Sequence, residues 1–293
     1  MKVGIDSYSF HRYFGELYPD QPVDLGKRWD MATDFVDYAK QQNVDEVAVE
    51  ACFFPVHDAG YCHELRARLD AAGIPRVVGW GHPDGLHGGQ DEVALADLKK
   101  TIPMAREVGT QLMRIVACSM VHVNEPHEPL VRNSIRMLRE AIEVAKGYDV
   151  TLALENHIDF TSGEILQILE GVDSENLKVN FDTGNSLRLY EDPVEACRNV
   201  APYVVATHTK DITVRRGGSP AERFLWWPSC TVGTGLVDIP ALTKVLDEAG
   251  FTGSLAVEFD LFTPEEVNLP TEDLVAQSVR YLRSVVSSPV AVG

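Results

Sequence analysis

The chain has 293 residues, of which 45% are hydrophobic and 24% are charged, and its 26 basic and 44 acidic residues give a formal net charge of −18. A surface this negative repels phosphate backbones and anionic lipids, so the composition argues against a nucleic-acid partner and against a membrane partner. No apolar run approaches the ~18 residues that cross a bilayer, and the N-terminus shows no signal-peptide pattern, so we expect a cytoplasmic protein.

Short apolar runs alternate with segments of helical periodicity along the chain. The runs lie at 3–6, 46–50, 76–80, 112–116, 151–155, 178–182, 203–208 and 254–258. The helical segments lie at 30–42, 61–72, 91–108, 130–147, 163–171, 193–200, 239–249 and 271–285. Runs that are apolar at successive positions are typical of parallel strands buried on both faces.

Eight such alternations with short connections predict a single (β/α)8 TIM barrel over residues 1–293, since a barrel of this kind needs about 250 residues. An open, doubly wound sheet is the alternative. The barrel is favoured because no glycine-rich phosphate loop follows the first run. Five widely spaced cysteines without a C-x-x-C pair predict free thiols rather than disulfides or a zinc ribbon.

The last four runs each end in a polar residue that can bind a metal: Glu155, Asp182, His208 and Glu258. Functional groups of such barrels gather at the carboxyl ends of the strands, so we expect these side chains to converge. Three adjacent carboxylates repel one another unless a cation neutralises them. Oxygen ligands with one imidazole and no thiolate favour Mn²⁺, with Mg²⁺, Co²⁺ or Zn²⁺ as alternatives. The pattern therefore predicts one divalent metal.

The sequence around these residues resembles the xylose isomerase-like barrel superfamily. The matching stretches are Leu154-Glu-Asn-His157, Phe181-Asp-Thr-Gly-Asn185, Thr207-His-Thr-Lys-Asp211 and Val257-Glu-Phe-Asp260. That superfamily includes ketose 3-epimerases, inosose dehydratases and isomerases, and DNA repair enzymes of the endonuclease IV type. The resemblance implies that the four strand-end residues bind the metal. The repair enzymes use a three-metal cluster, further histidines and a basic face, so this acidic chain is expected to act on a sugar or cyclitol.

A pair of glutamates carries the predicted chemistry. A metal bound to a carbonyl and the adjacent hydroxyl lowers the pKa of the carbon between them. Glu155 and Glu258 are placed to flank a substrate, one removing that proton to give a metal-held enediolate and the other returning it on the opposite face. In similar 3-epimerases the glutamates at these positions act as this acid–base pair. The prediction is an isomerase or epimerase of a keto-sugar, cyclitol or related polyhydroxy carbonyl compound.

A lyase on the same scaffold is the alternative that the sequence leaves open. If the enediolate expels a neighbouring group, the site becomes an inosose-type dehydratase, or an enzyme that cleaves 3-keto-glycosides or C-glycosides. Asn185 favours this alternative, because similar 3-epimerases carry a histidine there and an asparagine cannot shuttle protons.

Five residues are predicted to contact the substrate: His82, His157, Asn185, Lys210 and Trp226. His157 either donates to a substrate oxygen or supports a metal ligand. Lys210 either stabilises a developing oxyanion or pairs with Asp211.

The long segment 212–235 is predicted to be an active-site loop. Its residues Trp226 and Trp227 either stack on a sugar ring or pack against a partner subunit. By analogy we expect a homo-oligomer, and C-glycoside-cleaving relatives offer the alternative of a small partner subunit.

Overall fold

The computed structural model describes residues 1–82, 84–122, 124–215 and 226–287. Its strands are β1 (Lys2–Asp6), β2 (Glu46–Glu50), β3 (Arg76–Gly79), β4 (Leu112–Ile115), β5 (Thr151–Glu155), β6 (Leu177–Asp182), β7 (Val204–Thr209), β8 (Asp211–Ile212), β9 (Ser229–Cys230) and β10 (Ser254–Val257). All except β8 and β9 form a closed parallel barrel in the order β1-β10-β7-β6-β5-β4-β3-β2. The predicted (β/α)8 barrel is confirmed, and each barrel strand lies within one residue of its predicted bounds.

Helices connect the barrel strands. They are α1 (Val36–Gln42), α2 (Ala59–Ala72), α3 (Glu92–Val108), α4 (His127–Gly147), α5 (Ser162–Val172), α6 (Asn185–Arg188), α7 (Pro193–Val200), α8 (Ile239–Glu248) and α9 (Thr271–Ser287). Aspartates fix several helix starts, because their carboxylates accept hydrogen bonds from backbone N–H groups that have no partner within the helix. Asp58, Asp91, Asp192 and Asp238 do so for α2, α3, α7 and α8. Within the described ranges, no helix combines the length and apolarity needed to cross a membrane.

Two features of the helical layer differ from the prediction. The segment predicted as one helix at 30–42 begins with a π-helical turn, Met31–Phe35, before α1. Helix α6 lies outside every predicted segment, and at four residues it is too short to show helical periodicity. It starts directly after β6, so it places Asn185 at the mouth of the barrel.

The parallel register brings the strand ends to one level. Asp182 at the end of β6 lies beside His208 in β7, and Thr209 lies beside Val257, the residue before Glu258. Glu155 ends β5 beside Asn180 of β6. Because parallel strands all point their carboxyl ends the same way, these side chains meet at one face of the barrel.

Candidate active site and metal centre

Four residues converge at the carboxyl end of the barrel. Glu155, Asp182, His208 and Glu258 each offer one ligand atom, and these atoms lie within 4.8 Å of one another. His208 Nδ1 is 3.4 Å from a carboxylate oxygen of Glu155 and 3.4 Å from one of Glu258. All four residues are buried, with at most 5% of their surface exposed. The structure therefore brings together the four residues that the sequence pattern selected.

Three atoms of this cluster are buried and make no hydrogen bond with the described residues: Asp182 Oδ2, His208 Nδ1 and Glu258 Oε2. The two carboxylate oxygens form ion pairs with Lys210, so the cost of about 1–3 kcal/mol for a buried polar atom without a hydrogen bond falls mainly on His208 Nδ1. The other oxygen of Asp182 accepts from the backbone N–H groups of Gly184 at 2.8 Å and Asn185 at 2.9 Å, which turns Oδ2 towards the cluster. A divalent cation would satisfy all three atoms, and this oxygen-rich donor set suits one.

Lys210 lies against the same cluster. Its Nζ is 2.9 Å from Glu258 Oε2, 3.1 Å from Asp182 Oδ2 and 3.0 Å from Asp260 Oδ2. Burial lowers the pKa of Lys210, but these three carboxylates outweigh it and hold the pKa well above its ordinary value. The side chain is therefore an ammonium ion that offsets part of the negative charge.

The alternative that Lys210 pairs with Asp211 is wrong. The Asp211 carboxylate instead accepts from the backbone N–H groups of Gly233, Gly235 and Val237.

The two glutamates differ in their electrostatic surroundings. Burial raises the pKa of Glu155, but His208 and Arg114 outweigh burial and hold the pKa below its ordinary value. Burial raises the pKa of Glu258 to about 8, and His208 and Lys210 oppose this only in part. Two carboxyl groups whose pKa values are pushed apart are typical of an acid–base pair. A bound cation would lower both pKa values, because it favours the ionised forms.

Asn185 is fully buried and its amide has a defined orientation. Arg188 Nη1 donates to Asn185 Oδ1 at 3.0 Å, and Asn185 Nδ2 donates to Glu155 Oε1 at 3.4 Å. Arg188 is held in turn by Asp260, with N–O distances of 2.5 and 3.0 Å, and it donates to the backbone oxygen of Trp227 at 2.8 Å. The amide N–H of Asn185 therefore faces a predicted catalytic base.

Sequence and structure comparisons define the family. The model of the xylose isomerase-like TIM barrel family matches residues 30–285. The chain belongs to this family. The resemblance inferred from the strand-end motifs is thereby confirmed.

The xylose isomerase-like relatives include enzymes of different reaction types. A 3-oxo-isoapionate decarboxylase of Pectobacterium atrosepticum is 26% identical over 246 residues, which cover 84% of this chain and 81% of that protein. An inosose isomerase of Halalkalibacterium halodurans is 26% identical over 149 residues, which cover 49% of this chain and 51% of that protein. The structure of D-psicose 3-epimerase from Clostridium cellulolyticum has a TM-score of 0.73 at 17% identity, covering 98% of this chain and 100% of that one, and shows the shared fold.

The other three predicted substrate contacts lie on loops of this xylose isomerase-like barrel. His157 follows β5, and its buried Nδ1 makes no hydrogen bond with the described residues. Burial lowers the pKa of His157, which favours the neutral ring. His82 follows β3 and stacks on the ring of Trp80, with centroids 4.9 Å apart. Trp226 is partly exposed, and residues 216–225 of the predicted active-site loop, including Arg216, lie outside the described residues.

Sequence reasoning missed three buried charged residues beside this cluster. Asp6 ends β1 and Glu50 ends β2, so the strand-end signal that selected the metal ligands could have found both. Asp6 Oδ2 is 3.0 Å from His208 Nε2. Arg114 in β4 lies 2.6 Å from Glu50 Oε1 and 3.4 Å from Glu155 Oε2. Asp260 and Arg188 were also missed, although Asp260 lies two residues after Glu258 and Arg188 lies three residues after Asn185.

Proposed function

We propose that this chain is a divalent-metal-dependent isomerase or epimerase of a keto-sugar, a cyclitol or a related polyhydroxy carbonyl compound. The observation that carries the proposal is the arrangement of Glu155 and Glu258, whose carboxylates each lie 3.4 Å from His208 Nδ1 and come from different strand ends. In the metal-free chain the pKa of Glu155 is lowered by His208 and Arg114, and burial raises the pKa of Glu258. A reaction that removes a proton from one side of a carbon and returns it on the other side needs two such carboxyl groups.

Glu155, Asp182, His208 and Glu258 would hold the metal, with Mn²⁺ the best match to the donor set and Mg²⁺, Co²⁺ or Zn²⁺ as alternatives. A divalent ion bound there would supply Lewis-acid chemistry, which makes the carbon beside a carbonyl more acidic.

The remaining steps fall to protein side chains. Glu155, which His208 and Arg114 keep ionised, removes the proton from the carbon beside the carbonyl. Glu258, which faces the same imidazole from the end of another strand, returns a proton on the other side. Each such acid–base contribution is typically worth about 10²–10⁴ in rate. The Lys210 ammonium, 2.9 Å from Glu258, stabilises negative charge on a substrate oxygen, and Asn185 Nδ2 keeps Glu155 in position.

A lyase is the second candidate, and two observations favour it. Asn185 stands where a proton-shuttling histidine would serve an epimerase, and Arg188 fixes its amide as a hydrogen-bond donor towards Glu155. The similarity to a decarboxylase also extends over 84% of this chain. In a lyase, loss of the proton from the carbon beside the carbonyl is followed by departure of the hydroxyl, alkoxyl or aryl group on the next carbon. In the decarboxylase version, the bond between the carboxylate and the carbon beside the carbonyl breaks, carbon dioxide leaves, and the electron pair remains as an enolate. Candidate reactions are inosose-type dehydration, cleavage of a 3-keto-glycoside or C-glycoside, and loss of carbon dioxide from a 3-keto acid.

The test uses protein stripped with a chelator, reloaded with Mn²⁺ and incubated in D₂O with ketoses, inososes, 3-keto-glycosides and 3-keto acids. NMR follows deuterium incorporation and product formation. Deuterium beside the carbonyl with isomeric products, seen only after metal loading, supports the isomerase or epimerase. Release of water, an aglycone or carbon dioxide supports the lyase. If metal is bound but no substrate shows deuterium incorporation or product formation, the proposal is contradicted.

A further inference from the structure

His208 lies between two groups of carboxylates. Its Nδ1 faces Glu155 and Glu258, and its Nε2 is 3.0 Å from Asp6 Oδ2. Asp6 and His208 are both buried, with 0% and 1% of their surface exposed. The other carboxylate oxygen of Asp6 accepts from the backbone N–H of Tyr8 at 2.6 Å, so the side chain is anchored with Oδ2 towards the imidazole.

We infer that Asp6 is a positioning residue, which holds His208 as the tautomer protonated on Nε2 and leaves Nδ1 free as the metal-binding atom. This inference rests on the proposed metal-dependent function. A neutral imidazole carries its proton on one nitrogen only, and the nitrogen that binds a metal must be the other one. A carboxylate beside the second nitrogen fixes the tautomer and the ring orientation, and it makes the ligand more basic.

Asp6, rather than the neighbouring Glu50, has this role because Glu50 is engaged elsewhere. Arg114 Nη2 lies 2.6 Å from Glu50 Oε1. The backbone of β3 also confines Glu50, since a Cβ added at Gly79 would lie 2.0 Å from Glu50 Oε1. Glu50 is thus held against β3 and Arg114, and Asp6 remains as the acid that faces His208 Nε2.

The rival role for these residues is a second metal site. Asp6, Glu50 and His208 also bring ligand atoms within 4.8 Å of one another. Against this, the rival set has three ligand residues where the first cluster has four, and it shares His208 with that cluster. A neutral imidazole that binds one metal through Nδ1 carries its proton on Nε2, so His208 could not also bind a second ion. The two roles differ in how many ions the chain binds.

Two readouts that do not depend on turnover test the inference. Isothermal titration with Mn²⁺ compares wild type with Asp6→Asn, which removes the charge and keeps the shape. The matched control is Asp45→Asn, which also removes an acid bonded to β1, through the N–H of Val3 at 2.9 Å. We expect one ion per chain in all three proteins. We also expect an affinity about 10–100-fold weaker in Asp6→Asn and almost unchanged in the control.

The second readout is the position of the ring proton of His208 in the wild-type chain loaded with diamagnetic Zn²⁺, from ¹⁵N NMR of the imidazole nitrogens, assigned with a His208→Gln variant. We expect the proton on Nε2. This measurement uses the wild-type chain, so it can be made even if Asp6→Asn does not fold. A proton on Nδ1, equal affinities in wild type and Asp6→Asn, or two ions per chain with one lost in Asp6→Asn would overturn the inference. An inactive enzyme with the expected tautomer and affinities would overturn only the proposed function.

Discussion

The ammonium group of Lys210 lies 2.9 Å from Glu258 Oε2, on the same carboxylate that faces His208 Nδ1. Lys210 would therefore share a predicted metal ligand with a bound cation. A fixed positive charge at that distance weakens cation binding, and it stabilises an anionic intermediate.

Lys210→Met should therefore change metal affinity and turnover in opposite directions. We expect Mn²⁺ to bind several-fold more tightly, because a repelling charge is removed, while turnover falls by about 10²-fold, the range seen when a group that stabilises developing charge is lost. Titration calorimetry and the rate with the identified substrate measure the two effects. Lys146→Met, which removes an exposed lysine paired with Glu143, is the control. Weaker metal binding in Lys210→Met would show that the lysine organises the ligands instead.

Glu155→Gln should abolish proton exchange while leaving the fold intact. We expect both turnover and deuterium incorporation to fall by at least about a hundredfold, the lower range for a lost general base. Glu175→Gln, at a side chain that is 96% exposed, controls for the loss of one carboxylate. Circular dichroism checks the fold. Unchanged exchange in Glu155→Gln would exclude the two-glutamate mechanism.

Asn185→Asp should shift the pH dependence of the reaction. The new carboxylate would replace an amide whose Nδ2 lies 3.4 Å from Glu155 Oε1. A like charge disfavours ionisation, so the pKa of Glu155 should rise and the acid limb of the pH–rate profile should move to higher pH. Asn199→Asp, whose amide contacts Ser162 instead, is the matched control. An acid limb that stays in place or moves to lower pH would contradict the assignment of Glu155 as the base.

The sequence predicted the barrel and the four converging residues because both depend on local patterns. Parallel strands buried on both faces appear in the sequence as continuous apolar runs. Because functional groups of such barrels gather at the carboxyl ends of the strands, the last residue of each run is expected to lie near the last residues of the others. Helix α6 was missed because it depends on Asp182 Oδ1, which accepts the N–H groups of Gly184 and Asn185, rather than on periodicity.

The contacts between distant parts of the chain could not be predicted in this way. Arg188 meets Asp260, and Asp6 meets His208, across long sequence separations that leave no local signal. His82 was selected because it follows β3, and the structure shows its ring stacked on Trp80. Its role in substrate binding stays a prediction.

Asp260→Asn should destabilise the fold in a pH-dependent manner. Asp260 pairs with Arg188 at 2.5 Å and with Lys210 at 3.0 Å. Burial raises the pKa of Asp260, but Arg188 and Lys210 outweigh it and hold the pKa far below its ordinary value. Removing one partner of a buried ion pair costs about 3–5 kcal/mol in the free energy of unfolding.

The direction of this pH dependence follows from the lowered pKa of Asp260. The folded state binds the Asp260 proton less readily than the unfolded chain, so the stabilisation is complete above the unfolded pKa of about 3.9 and is lost as the pH falls below it. Urea unfolding of metal-free wild type and Asp260→Asn at pH 7 and pH 3 should therefore show a smaller difference at pH 3. A difference that is equal at both pH values, or larger at pH 3, would show that Asp260 does not act through its charge.

We propose that one divalent cation binds among Glu155, Asp182, His208 and Glu258. Anomalous diffraction at the manganese edge, from crystals grown with Mn²⁺, would locate this cation. We expect a single peak per chain, coordinated by His208 Nδ1 and by oxygens of all three carboxylates. A peak between Asp6 and Glu50, or no peak at saturating manganese, would contradict it.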